Sequence, residues 1–125
     1  MLFLSNASIK YAVDICQEKE KYKVGVAIKD EDKRNIMRQL ILDIVADSDC
    51  VETIRNSKHN FEICFKNRSR INFIFPSDSA KMNRLHLLIA DRNISIDVMQ
   101  CILKPLENLE WLEYVYEEKG IKDSF

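Results

Sequence analysis

The chain has 125 residues, 46% of them hydrophobic and 31% charged, and a formal net charge of -1. That length holds one domain around one core, and the composition excludes a chain disordered throughout. The near-neutral balance gives no overall electrostatic case for DNA or a membrane surface, and no run approaches the ~20 apolar residues that cross a bilayer.

Taken in chain order, Leu2-Phe3-Leu4 reads as a short buried strand, and Ser5 or Asn6 can cap the helix that follows. Ile9, Ala12, Val13 and Cys16 recur at helical spacing, which predicts an amphipathic helix over 7–20 with a charged, exposed far end from Glu18 to Lys23. Tyr22 to Ile28 is either an extended connection or a short strand. Asp30 is a good N-cap, with Glu31 and Asp32 favourable at the positive end of the next helix. Ile36, Met37, Leu40, Ile41, Ile44 and Val45 form the apolar stripe of that helix, and plain core packing accounts for it.

Phe61, Ile63 and Phe65 alternate with Glu62, Cys64 and Lys66, and Ile71, Phe73 and Phe75 alternate with Arg70, Asn72 and Ile74. With Asn67-Arg68-Ser69 between them, this predicts an antiparallel hairpin with one buried face. Asn67 tolerates a left-handed conformation, whereas Arg68 stands where a tight hairpin favours Gly. Leu85 to Ala90 is nearly continuously apolar, as a strand covered on both faces would be, and ends in Asp91. Ser95 can cap a last helix with Val98, Met99, Ile102, Leu106 and Leu109 on its inner side, which Pro105 ends or kinks. Trp111 to Tyr116 is a final apolar segment, strand or helix. The expected fold class is α/β: a small mixed sheet with flanking helices, including a β-hairpin, in a single domain over 1–125.

Charge is unevenly distributed. Residues 55–84 carry Arg55, Lys58, Lys66, Arg68, Arg70, Lys81 and Arg84 against Glu62 and Asp78, a balance of +5 that leaves -6 elsewhere. Lys58, Lys66, Arg68, Arg70, Lys81 and Arg84 are therefore the candidates for nucleic-acid contact, and an ordinary solvated hairpin is the competing reading. Cys16, Cys50, Cys64 and Cys101 form no Cys-x-x-Cys pair and no Cys/His cluster of zinc-ligand spacing, so reduced thiols and no metal are expected. His59 lies in a polar loop and His86 at a buried strand, where a satisfied core histidine is the plain reading. The start Met-Leu-Phe-Leu-Ser lacks the features of a signal peptide, so a cytoplasmic protein is expected.

A strand ending in aspartate before a capped helix is a weak signal alone. The wider stretch FKNRSRINFIFPSDSAKMNRLHLLIADRNISIDVMQCILKPL resembles the ATPase core of phage terminase large subunits. Asn67, Ser69 and Ile71 match that family's hairpin. Ser77, Asp78, Ser79, Ala80 and Arg84 match the next segment, with Lys81 where Arg is usual. Leu87 to Asp91 match its magnesium-binding strand, and Ile102 to Pro105 the end of a helix. LFLSNASIKYAVDI is similar to the unit after the phosphate-loop helix, so the ordered resemblance covers roughly residues 2–106.

The departures are as informative. No G-x-x-x-x-G-K-[ST] phosphate loop exists, Gly25 and Gly120 being the only glycines. Arg92 replaces the catalytic glutamate, and Arg68 and Met82 replace motif glycines. The resemblance thus implies a partial P-loop ATPase-like core without enzymatic activity or cofactor, in which Asp91 is a vestigial magnesium-site position that caps its turn or pairs with Arg84 or Arg92. The expected function is a non-catalytic phage or prophage protein that binds a macromolecule: a terminase, DNA, or a host defence protein such as a CRISPR nuclease. The alternative is an accessory subunit of a DNA-packaging ATPase completed by a partner chain. A homo-oligomer or hetero-complex is expected in either case.

Overall fold

The computed structural model describes residues 2–57, 60–75 and 85–98. Its elements are β1 (Leu2–Phe3), α1 (Asn6–Glu18), β2 (Lys23–Ala27), α2 (Glu31–Val45), β3 (Val51–Asn56), β4 (Phe61–Phe65), β5 (Arg70–Ile74), β6 (Leu87–Ala90) and the short turn of helix α3 (Ile96–Val98). They build one six-stranded mixed sheet in the order β1-β6-β2-β5-β4-β3. The first four strands in that order run parallel, and β4 and β3 complete it antiparallel. The chain is an α/β protein.

Local chemistry fixes the helix starts. Ser5 is the N-cap of α1: its hydroxyl accepts from the Ser8 N–H at 3.0 Å, and the Ser8 hydroxyl accepts from the Ser5 N–H at 2.9 Å. Both serines are buried, so these bonds satisfy amides that water cannot reach. Asp30 caps α2 by accepting from the Asp32 N–H at 2.9 Å.

Both helices pack on one face of the sheet and against each other. Ile9, Ala12, Val13 and Cys16 from α1 and Met37, Ile41 and Val45 from α2 meet Val24, Val26, Phe61, Ile63, Phe65, Ile71, Leu87 and Ile89 in one core. The Val, Leu, Ile, Phe and Met side chains among them each contribute about 1.5–3 kcal/mol by leaving water. The α2 stripe is narrower than its sequence predicts: Ile36 is 62% exposed and Leu40 and Ile44 are half-buried, while Arg34 takes a buried place instead. Arg34 is tolerated there because its guanidinium donates to the Ile28 carbonyl at 3.0 Å and stacks 4.2 Å from the Phe75 ring centroid.

Among the described residues, the apolar part of the opposite face lies around β2, β6 and the end of β5, where Ala27, Ile74, Leu85, Leu88, Ala90 and Ile94 cluster. Gly25 belongs to this face, and a Cβ there would lie 2.3 Å from Ile74 Cδ1 and 2.5 Å from Leu85 Cδ1. Toward β4 the same face becomes polar. Glu62 accepts from Asn72 at 2.8 Å and from the Cys64 thiol at 3.2 Å, and Arg70 stands 3.8 Å away.

Several sequence expectations meet their outcome here. Tyr22 to Ile28 is a strand, and an interior one, flanked by β6 and β5. β3 was not anticipated. The hairpin forms as expected, and the residue with positive φ is Arg68 (71°), which stands where a tight hairpin favours Gly. Ser95 does accept from the Val98 N–H at 3.3 Å. Met99, Cys101, Ile102, Pro105, Leu106, Leu109 and the segment Trp111 to Tyr116 lie outside the described residues, as do Lys58, His59, Ser77 to Lys81 and Arg84.

Candidate polyanion-binding surface

Two turns meet at the amino edge of the parallel strands. α1 ends at its C-cap Lys19, and the chain turns through Lys21, at a left-handed φ of 55°, into β2. The β4–β5 hairpin tip docks against this turn. The Asn67 amide donates to the Cys16 carbonyl at 2.7 Å and the Lys19 carbonyl at 3.1 Å, while its side-chain oxygen accepts from the Ser69 N–H at 3.0 Å. The Ser69 hydroxyl donates to the Lys19 carbonyl and accepts from the Tyr22 N–H at 3.0 Å. Lys21 N–H donates to the Asn67 carbonyl at 3.2 Å, and Arg70 N–H to the Tyr22 carbonyl at 2.9 Å. The hairpin's Asn and Ser therefore act as the remote C-cap of α1, satisfying carbonyls that every helix leaves unpaired.

This clamp holds Lys21 and Arg68 in left-handed backbone. For residues with a Cβ that geometry costs about 1–2 kcal/mol each. Both side chains are exposed. His86 closes the third side: its backbone pairs with Lys23, its Nδ1 accepts from the Lys23 N–H at 3.0 Å, and its ring stacks on Tyr22 with centroids 5.0 Å apart. Because Nδ1 is an acceptor, the neutral imidazole carries its proton on Nε2.

Lys21, Lys23, Arg68, Arg70 and His86 thus line one groove. An adjoining depression is lined by Glu20, Lys21, Lys66, Asn67 and Arg68. Among the described residues, five permanent cations converge on these two hollows, with Glu20 the one carboxylate in either lining. Of the groove's cations, Arg70 lies 3.8 Å from Glu62, and because the Arg70 side chain is half exposed that pair neutralises little. Like charges gathered this way repel, and a multivalent anion relieves the repulsion. Of the predicted contact residues, Lys66, Arg68 and Arg70 come together here. Lys58, Lys81 and Arg84 lie outside the described residues. Lys21, Lys23 and His86 were missed, because their meeting depends on the turn at Lys21 and on β5 and β6 flanking β2.

Asp91 sits at the other end of the strands. Its N–H donates to the Ala27 carbonyl at 3.0 Å, and its carbonyl accepts from the Ile94 N–H at 3.3 Å. Its side chain is 4% exposed, with Oδ1 at 3.1 Å from Lys33 Nζ. Oδ2 is buried without a hydrogen-bond partner among the described residues. Of the expected roles, the turn after β6 closes on the Asp91 carbonyl, and an ion pair forms with Lys33. Lys33 reaches over from the first turn of α2, whereas Arg92 stacks 4.5 Å from the Phe3 ring centroid and Arg84 lies outside the described residues. An ammonium on Oδ1 and a guanidinium on the next residue do not fit a divalent cation, and the described residues contain no cluster of three His, Cys, Asp or Glu side chains able to hold one.

Of the residues that carry the terminase resemblance, Asn67 and Ser69 cap α1, Ile71 and Leu87 to Ala90 are core, and Asp91 is ion-paired. Among the described residues, no helix is long and apolar enough to cross a membrane. No family model, curated protein or solved structure matches the chain.

Proposed function

We propose that the chain is a non-catalytic binding protein of phage or prophage origin that engages the phosphate backbone of DNA through the amino edge of its sheet. One observation carries this reading: Lys21, Lys23, Arg68 and Arg70 converge with His86 on a groove whose lining, among the described residues, holds no carboxylate. Two of those cations stand on backbone strained in the left-handed region, and observed strain of this kind points toward function. The phage assignment rests on the terminase-like order of motifs. The alternative, an accessory subunit whose Asp91 completes a partner's nucleotide site, is disfavoured by Lys33, which already occupies that carboxylate.

The test is fluorescence anisotropy of a labelled DNA duplex at low salt. Lys23→Glu and Arg68→Glu are each expected to weaken binding at least about tenfold, as loss and reversal of a phosphate contact would. Lys29→Glu, an identical charge change past the far end of β2, is expected to leave binding within about twofold. Equal effects of all three substitutions would mean nonspecific attraction. No binding by the wild type would reject DNA and leave a protein partner, a terminase or a host defence nuclease, as the reading to pursue.

A further inference from the structure

Among the described residues β3 forms one border of the sheet: it pairs with β4 on one side, and Glu52 to Asn56 are all exposed. The phase of the β3–β4 ladder determines which of its backbone groups are used. Ser57 and Asn60 exchange both hydrogen bonds, at 3.1 and 3.4 Å. In an antiparallel ladder reciprocal pairs recur every second residue, so Arg55–Glu62 and Thr53–Cys64 are also bonded pairs. Ile54 and Asn56 lie between them, and their N–H and C=O groups point outward, away from β4. Ile54 is also 45% exposed, with Ile36 one of two exposed large hydrophobic residues among those described.

We propose that this border pairs with β3 of a second copy, antiparallel, about a two-fold axis through Ile54. Three features select the second copy and the register. A two-fold axis normal to the sheet keeps both helix layers on the same face, and only registers that place each residue opposite one of its own face are allowed. Centring on Arg55 or on Glu52 sets identical charges against each other, which is destabilising. Centring on Thr53 sets Ile54 against Glu52. Centring on Ile54 joins the two exposed isoleucines, sets Thr53 opposite Arg55, and matches outward donors with outward acceptors at Ile54. The bulge between Val51 and Thr53 limits how far the ladder runs, so the dimer is a short one. It leaves the basic groove at the amino edge uncovered, so it stands or falls separately from DNA binding.

Sedimentation equilibrium and amide hydrogen exchange test it on the full chain. The wild type is expected to reach twice the chain mass at micromolar to high micromolar concentration. Ile54→Lys, which opposes two ammonium groups, is expected to raise the dissociation constant at least about tenfold. The Ile54 and Asn56 amides are expected to exchange slowly in concentrated solution and rapidly on dilution, while those of Thr53 and Arg55 stay protected in both. A wild type that stays monomeric, a dimer unaffected by Ile54→Lys, or rapid exchange at Ile54 and Asn56 at every concentration would overturn the proposal. The exchange measurement needs no variant, so it decides the matter even where Ile54→Lys fails to fold.

Discussion

Arg68 shows how one residue serves two demands. Its φ of 71° suits Gly, yet the side chain it carries lines both basic hollows. Arg68→Gly removes the left-handed penalty and one cation together. The melting temperature is expected to stay level or rise while affinity for DNA falls; a lower melting temperature would show that the Arg68 side chain stabilises the fold. The thiols separate as clearly. Burial pushes Cys16 up to about 12, so it is inert, whereas Cys50 is exposed. Alkylation of the native protein is expected to modify Cys50 and to reach Cys16 only after unfolding, which peptide mass mapping reads directly. Burial alone raises the Glu62 carboxyl, but hydrogen bonds from Cys64 and Asn72 and the charges of Arg70 and Arg55 outweigh it and hold the group below the ordinary range. A depressed folded value stabilises above the unfolded value, about pH 4.3, and that contribution drains away as pH falls through the folded one. The stability gap between wild type and Glu62→Gln is therefore expected to be constant near neutrality and to shrink under acid. A gap that widens below pH 4 would reverse the assignment.

Elements with strong local signals were legible and those shaped by neighbours were not. Ser5, Asp30 and the apolar periodicity of α1 and α2 mark both helices, because capping and burial act within a few residues of sequence. The hairpin and β6 were equally readable, since period-two alternation and an unbroken apolar run each describe a single covering environment. β2 was ambiguous because Gly25 breaks its apolar run, and Gly25 is there because Ile74 of β5 and Leu85, two residues before β6, close over it. β3 left no alternation to read: as a border strand with nearly every residue exposed, it is held by the β4 ladder and not by a buried face. The remote cap of α1 was equally hidden, because Asn67 and Ser69 lie about fifty residues from the carbonyls they satisfy. Asn67→Ala is expected to cost about 1–3 kcal/mol in denaturant unfolding, the toll of stranding partly buried carbonyls. A cost indistinguishable from zero would show that water replaces the amide freely.

At the scale of the whole molecule the two ends of the sheet have different characters. At the carboxyl end, charge is consumed internally: Lys33 answers Asp91, Arg34 lies against Phe75, and Arg92 lies against Phe3. At the amino end, cations converge on one groove, with Arg70 offset in part by Glu62. The sequence made the excess of basic residues in the middle of the chain visible, but not their meeting with Lys21, Lys23 and His86, which depends on β2, β5 and β6 being neighbours. The measurement that tests the account most directly is the salt dependence of DNA affinity. Four phosphate contacts through Lys21, Lys23, Arg68 and Arg70 predict that log affinity falls against log salt with a slope of about -3 to -4, shallower by about 1 in Arg68→Gly. Affinity that is absent at low salt, or that does not change with salt, would contradict it.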